Sequence, residues 1–385
     1  MIGLFNDNFP PVYDGVALTV KNYADWMAKK GRQISVVTPY TPGLIETPYP
    51  IFTYHSLPLL MRKPYRIGLP FTDYIFRKHL SRLQFSIVHA HCPFTSGLLA
   101  VKVARKHNIP LVATFHSKYR QDFERALHSK KIVDQAVKQI VSFYEKADEV
   151  WIPQATVEPT LREYGYKGKV TVVDNGSDLF TPDDVYTDLR NEMRKTLGVK
   201  NDEVMLLFVG QHIWEKNIGF ILDSIAIIKD LPYKLFMIGT GYAVSDIQKK
   251  INTLGIENKV RLLGVVKDRD MLRSYYSAAD MFLFPSLYDN APLVVREAAA
   301  LRTPAIMLQG STASEIINDG ENGFLTPNDT SAYAGIIKHL MENPDMIRKV
   351  GDNASKTIVR SWEDVVEEVL CRYDDICARY NRERK

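Results

Sequence analysis

Two carboxylates, Asp289 and Glu297, stand with seven residues between them in the stretch FLFPSLYDNAPLVVREAAALRTPAIM, residues 282–307. Its pattern predicts a strand over 281–284, a turn at Pro285 and Ser286 and a short polar loop. A helix over about 292–300 and a second strand from Pro304 follow. Asp289 falls in the loop with Asn290 and Ala291, and Glu297 falls inside the helix. A loop leaving a strand's C-terminal end and entering a helix is where open α/β sheets bind ligands. The first N–H groups of that helix, at Leu293 and Val294, lack intrahelical acceptors and would face an anion. Pro292 has no N–H and suits the first helical position. Carboxylates do not bind an anion, but they accept hydrogen bonds from sugar hydroxyls. Phosphate donors beside hydroxyl acceptors together describe a site for a sugar nucleotide.

Other predicted strand ends carry loops of the same kind. VGQHIWEKNIGF, residues 209–220, brings Gln211 and Lys216 to a helix start, where a lysine adds positive charge to an anion site. A solvated lysine is the plain alternative. Gly239-Thr240-Gly241 follows the next strand and would let backbone approach a ligand. Gly264-Val265-Val266 follows the third, with Val266 placed for its backbone to read a nucleobase edge. Near the N-terminus, Gly15 sits where NDNFPPVYDG turns into a helix over 16–30, a place for φ > 0 and close ligand approach. No GxGxxG fingerprint is present, so dinucleotide binding of the dehydrogenase kind is not supported. His89 and His91 end one strand and His116 ends the next. At i and i+2 the first two could share a face, but no third metal ligand follows at a recognisable spacing. His116 reads as a hydrogen-bond partner for substrate, His89 and His91 equally as structural residues.

Strands alternate with helices along all 385 residues, which argues for parallel sheets with helices on both faces. The length suits two domains. The α/β pattern restarts at 204–209 after the turn-rich segment 172–184, VVDNGSDLFTPDD. The expected architecture is two Rossmann-like, doubly wound domains facing each other across a cleft. The first spans 1–177, joined by a final amphipathic helix within 365–385, and the second spans 178–364. On that helix Val366, Val369, Leu370, Tyr373, Ile376 and Cys377 recur at helical spacing, which would give two of the three cysteines a core role.

Residues 1–180 hold 23 Lys and Arg against 15 Asp and Glu, a net +8, and the remainder is −4. The first half therefore expects an anionic partner. The segment 56–83 is apolar and basic, with Asp73 its one acid. It reads either as an element lying on a membrane surface or as a core helix with a solvated basic face. No run reaches the roughly 18 to 20 apolar residues of a membrane span. MIGLFNDNFPP enters a strand at once, so no signal peptide is read. Three cysteines without metal-ligand spacing read as reduced, cytosolic thiols. Nucleic-acid binding has no motif behind it.

These residues carry a family likeness. The Gly15-Val16 loop, HAHCPFTSG, ATFHSKY, DNGSD, VGQHIWEKN, IGTG, PSLYDNAPLVVREAAALRTP and ENGFL together resemble the retaining glycosyltransferases of family 4, of GT-B fold. The likeness spans essentially the whole chain. The opening and the histidine-bearing motifs look most like bacterial enzymes that glucosylate diacylglycerol. The family usually has Glu where Asp289 stands and Arg where Gln211 stands. The resemblance implies a nucleoside diphosphate sugar, a UDP-sugar by likeness to that subgroup, as donor. It implies a membrane glycolipid or glycan as acceptor, an anionic membrane surface as partner, and no obligate metal or cofactor. The site would hold Asp289 and His116 at the reacting sugar. Gly15, Gln211, Lys216, Gly241, Val266, Asn290, Ala291, Leu293, Val294 and Glu297 would lie around the donor. The implied location is cytoplasmic, peripheral on the inner face of the cell membrane. Cell-surface polysaccharide synthesis is the neighbouring alternative. A sugar-nucleotide epimerase or a low-activity sugar-nucleotide-binding protein is the alternative of another class.

Overall fold

The computed structural model describes residues 1–59 and 64–382. It divides into two compact units, 1–175 with 362–385 and 176–361. The first unit runs β1 (Ile2–Phe5), α1 (Gly15–Lys29), β2 (Ile34–Pro39), β3 (Ile51–Tyr54), β4 (Ser56–Pro58), β5 (Arg66–Gly68), α2 (Tyr74–Leu80), β6 (Ile87–Ala90), α3 (Thr95–His107), β7 (Leu111–Thr114), α4 (Tyr119–Ala126), α5 (Lys130–Tyr144), β8 (Glu149–Ile152), α6 (Glu158–Glu163) and β9 (Val170–Val172). The second runs α7 (Asp183–Leu197), β10 (Val204–Val209), α8 (Ile218–Ile227), β11 (Tyr233–Ile238), α9 (Val244–Leu254), β12 (Val260–Gly264), α10 (Arg269–Ala278), β13 (Met281–Phe284), α11 (Leu293–Ala300), β14 (Ala305–Leu308), β15 (Phe324–Thr326), α12 (Thr330–Met341) and α13 (Pro344–Thr357). The last helix, α14 (Trp362–Arg382), returns to the first unit.

Each unit is an open parallel sheet. The first has strand order β3-β2-β1-β6-β7-β8-β9 and the second β12-β11-β10-β13-β14-β15. The central strands are continuous apolar runs, buried along their length, because helices cover both faces. Strand order reverses between β1 and β6 in the first sheet and between β10 and β13 in the second. Those reversals open the crevices where such sheets take ligands.

α14 is held on the first unit by its buried face, Val365, Val366, Val369, Leu370, Tyr373 and Ile376. Lys30 bonds Glu363 and Glu367 at 3.2 and 3.0 Å, and Arg32 pairs with Asp374. Cys377 is only half-buried and Cys371 is exposed, so the core role expected of these two thiols does not hold. The rest of the expected face is buried, and Trp362 and Val365 extend it toward the helix start.

The 56–83 segment is not one helix. It folds as the antiparallel hairpin β4–β5 followed by the short α2, which Asp73 caps by accepting from Phe76 N at 2.9 Å. Prolines and Gly68 break the helical pattern there. Leu60 to Lys63 of that segment, and Glu383 to Lys385 at the end of the sequence range expected for the final helix, lie outside the described residues.

Candidate functional site

The second sheet reverses where β10 lies beside β13, and the loops leaving these two strands meet. After β10 the chain makes a single 3-10 turn, Trp214–Lys216, and then Asn217 adopts φ 60°. The Asn217 side-chain amide donates to the Pro285 carbonyl at 3.1 Å and ties this loop to the one leaving β13. In that second loop the buried Ser286 Oγ accepts from Tyr288 N at 3.3 Å and Asp289 N at 3.4 Å. The two loops thereby bring Lys216 and Asp289 into an ion pair. The lysine is not solvated. Its side chain is 14 % exposed and Asp289's 16 %. Asp289 Oδ2 is buried without a hydrogen-bond partner among the described residues.

α11 begins at Leu293, with Pro292 as its N-cap at ψ 126°. The proline therefore stands one position before the first helical residue. It contributes no capping side chain, and α11 has no side-chain cap. The helix N-terminus, with the N–H groups of Leu293 and Val294, is left for an anion. α8 and α9, which follow β10 and β11, lack side-chain caps as well. The first unit is different. Asp14 Oδ1 accepts from Ala17 N at 2.8 Å on α1, and the half-buried Asp7 accepts from Ser96 N at 2.9 Å on α3. Its two helix N-termini beside the strand reversal are already occupied by the chain's own carboxylates. Sequence reasoning passed over Asp7, since its partner lies 89 residues away.

Glu297, one turn into α11, is buried with both oxygens engaged. Arg269 donates to Oε1 at 2.9 Å and the Tyr276 hydroxyl to Oε2 at 3.0 Å. Arg269 also pairs with Asp178. Arg269 and Tyr276 start and end successive turns of α10, and neither was picked out from sequence. The two carboxylates keep the Arg269 guanidinium firmly charged despite burial. Each carboxylate oxygen retains a second lone pair that can accept from a hydroxyl.

Of the remaining residues, Gly241 has its bare Cα against the His212 carbonyl, where a side chain would collide. Gly239, at φ 138°, packs likewise on the Gly210 carbonyl. Loop packing by itself already requires glycine at both positions. His212 N donates to Thr240 O at 2.9 Å, locking the two loops together. The His212 ring is buried with no partner for either nitrogen among the described residues, and burial pushes its pKa down to about 4. Val266 and Gln211 are half-buried, Val266 packing on the core. Asn290 is buried and Ala291 half-buried in the Asp289 loop.

Gly15 is the first residue of α1, with no positive φ, and open space surrounds its Cα. The left-handed conformation expected there is not used, because Asp14 already starts the helix. His116, just past β7, has Nε2 at 3.2 Å from His91 Nδ1. His89 is satisfied by Tyr373 and Thr114. Among the described residues no group of three or more His, Cys, Asp or Glu is arranged to hold a metal ion.

Two family models match the chain. Glycosyltransferase Family 4 covers residues 13–179, and Glycosyl transferases group 1 covers 190–357. The chain is 26 % identical over 373 residues to an alpha-monoglucosyldiacylglycerol synthase of Acholeplasma laidlawii, covering 92 % of this chain and 91 % of that one. To the enzyme of the same name from Streptococcus pneumoniae it is 27 % identical, covering 90 % and 79 %. Among solved structures, sucrose-phosphate synthase from Thermosynechococcus elongatus superposes with TM-score 0.83 at 22 % identity, over 98 % of this chain and 99 % of that one. Anabaena HepE in complex with UDP and glucose superposes with TM-score 0.78 at 17 % identity, over 97 % and 99 %. The two matched regions follow one another along the same two parallel-sheet units, and the chain is a GT-B glycosyltransferase made of a family 4 domain and a group 1 domain.

Proposed function

We propose that the protein transfers a hexosyl group from a UDP-sugar to a hydroxyl of a membrane lipid such as diacylglycerol, with retention of anomeric configuration. One observation carries the donor assignment. The uncapped N-terminus of α11 stands beside Lys216, Asp289 and the clamped Glu297, where the second sheet reverses. In this reading the diphosphate lies on the N–H groups of Leu293 and Val294 and takes Lys216 as counter-ion. Glu297 accepts from the ribose hydroxyls, and Asp289, released from Lys216, accepts from a sugar hydroxyl. Gln211, Gly241, Val266, Asn290 and Ala291 line the donor in this reading.

Chemically, the bond from the anomeric carbon to the leaving phosphate oxygen breaks and a bond to the acceptor oxygen forms on the same face. The acceptor's proton goes to the leaving phosphate. No protein nucleophile is required, so a carboxylate one methylene shorter than Glu serves at 289. Charge on the departing UDP is met by Lys216 and the helix N-terminus, and no metal or other cofactor is assigned a role. Undiminished turnover in EDTA is the expected result, and loss restored by a divalent cation would count against it.

The lipid acceptor is supported by what the two bacterial relatives are named for. A surface of the first unit adds to it. Leu57, Ile67, Phe71, Tyr74 and Ile75 are exposed beside the exposed Arg77, Lys78 and Arg82. Apolar side chains among cations suit an anionic bilayer surface, and no described helix is long and apolar enough to cross a membrane. The test is transfer from UDP-glucose to diacylglycerol in vesicles, with flotation on the same vesicles with and without anionic lipid. Flotation that ignores anionic lipid would remove the membrane part of this reading. Epimerised donor without acceptor consumption would replace transfer with epimerisation.

A further inference from the structure

The chain enters the second unit at Gly176 and leaves it at Ser361. These two ends pair. Ser177 N donates to the Arg360 carbonyl at 2.9 Å, and Ser177 and Ser361 form an isolated parallel β-bridge. Ser177 is buried, and its Oγ accepts at 3.2 Å from the N–H of Leu179, a core residue. Each end is also tied to α11, through consecutive residues of that helix. Successive helical positions point about 100° apart, so Arg296 and Glu297 reach different neighbours. The buried Arg296 donates from Nη1 to the Ile358 carbonyl at 2.9 Å. Ile358 is the C-cap of α13, where a cation meets the negative end of the helix dipole. Glu297 reaches the other end through Arg269, which also pairs with Asp178, the residue after Ser177.

Arg269 does not stand where its own helix favours a cation. It is the first residue of α10, at the positive end of the dipole. Two carboxylates offset this, and they differ. The Glu297 side chain is 7 % exposed and that of Asp178 is 33 % exposed. One guanidinium is therefore shared between a carboxylate of the candidate site and a carboxylate of the entering chain. A hydroxyl donating to Glu297 takes up part of its negative charge and leaves more of the guanidinium's attraction to Asp178.

We propose that Arg269 is a positioning residue that passes occupancy of Glu297 to the paired ends of the second unit. The proposal rests on the reading of Glu297 as the acceptor for ribose hydroxyls. With ribose on Glu297, Arg269 draws harder on Asp178, and the bridge between Ser177 and Ser361 opens less often. By reciprocity, a firmer bridge holds the nucleotide more tightly. Arg296 fixes the leaving end to the same helix, so each strand of the bridge has α11 behind it.

The test is amide hydrogen exchange by NMR on the full-length protein, with UDP as the probe. UDP should slow exchange of the Ser177 amide about fivefold in wild type. At matched saturation, UDP lacking both ribose hydroxyls should protect the Leu293 and Val294 amides and leave Ser177 unchanged. In Asp178→Asn, UDP should bind within a few fold of wild type, and its effect on Ser177 should vanish. Asp178→Glu should restore part of it. A purely structural pair would change Ser177 exchange by the same factor with and without UDP. Slowing by UDP that survives intact in Asp178→Asn therefore overturns the proposal. Equal slowing by the nucleotide without ribose hydroxyls overturns it too, as does wild-type Ser177 exchange that ignores UDP while Leu293 and Val294 are protected. If UDP protects neither Leu293 nor Val294, the donor site at α11 falls and the proposal falls with it.

Discussion

Asp289→Asn separates two roles that a single buried carboxylate plays at the α11 N-terminus. In the donor-free protein Asp289 neutralises Lys216, and both side chains are largely shielded from solvent. A diphosphate arriving at α11 competes with Asp289 for that lysine. It also meets Asp289 as a like charge. Unit charges about 5 Å apart at an effective dielectric of about 20 interact by roughly 3 kcal/mol. The partial exposure of the pair halves this to about 1.5 kcal/mol, or about tenfold in Kd. Asp289→Asn keeps the shape and removes the charge, so UDP should bind about tenfold more tightly by calorimetry. Sugar transfer should move the other way, falling about 100-fold, because the amide is a poorer acceptor for a sugar hydroxyl. The pair of opposite changes is the signature. UDP affinity that is unchanged or weaker in a folded Asp289→Asn variant refutes the competition for Lys216.

Arg269→Ala strips Glu297 and Asp178 of a shared partner. Glu297 is deeply buried, so urea unfolding should show a loss of about 3 kcal/mol, and an effect below about 1 kcal/mol would show the clamp to be dispensable. Tyr276→Phe removes one hydroxyl bond to Glu297 and should cost about 1 kcal/mol while weakening UDP binding relative to uracil-free phosphate. His212 titrates near 4 in the fold and near its ordinary value of about 6.5 unfolded, so the unfolded chain binds more protons between these values. Its contribution is fully present above about pH 6.5 and is lost as pH falls toward 4. His116 acts in the same direction. Urea midpoints from pH 7.5 down to 4.5 should therefore decline less steeply in His212→Leu than in wild type, and an identical slope contradicts the assignment.

Strand and helix placement in both units was legible to within a residue or two wherever apolar runs alternated with amphipathic stretches. β1, β10, β13 and α3 are of this kind. The loop carrying Asp289 and the helix carrying Glu297 were legible because strand, turn and helix signals follow one another within thirty residues. What was not legible depends on sheet order. Lys216 meets Asp289 across 73 residues because β10 lies beside β13, and no local pattern records that neighbour. Arg269 reaches Asp178 across 91 residues for the same kind of reason. The structural duties of two glycines were not legible either: Gly15 opens a helix capped by Asp14, and Gly241 clears a backbone carbonyl. The basic segment after β3 misled because composition reports amphipathic character but not whether a hairpin or a helix displays it.

The most direct measurement follows UDP-glucose with diacylglycerol vesicles through to product, with the anomeric configuration read by ¹H NMR for wild type and for Glu297→Ala. Wild type should yield an α-linked glucoside from the α-linked donor, and Glu297→Ala should yield almost none at the same donor concentration. A β-linked product contradicts retention, and wild-type-like transfer by Glu297→Ala contradicts the donor site at α11.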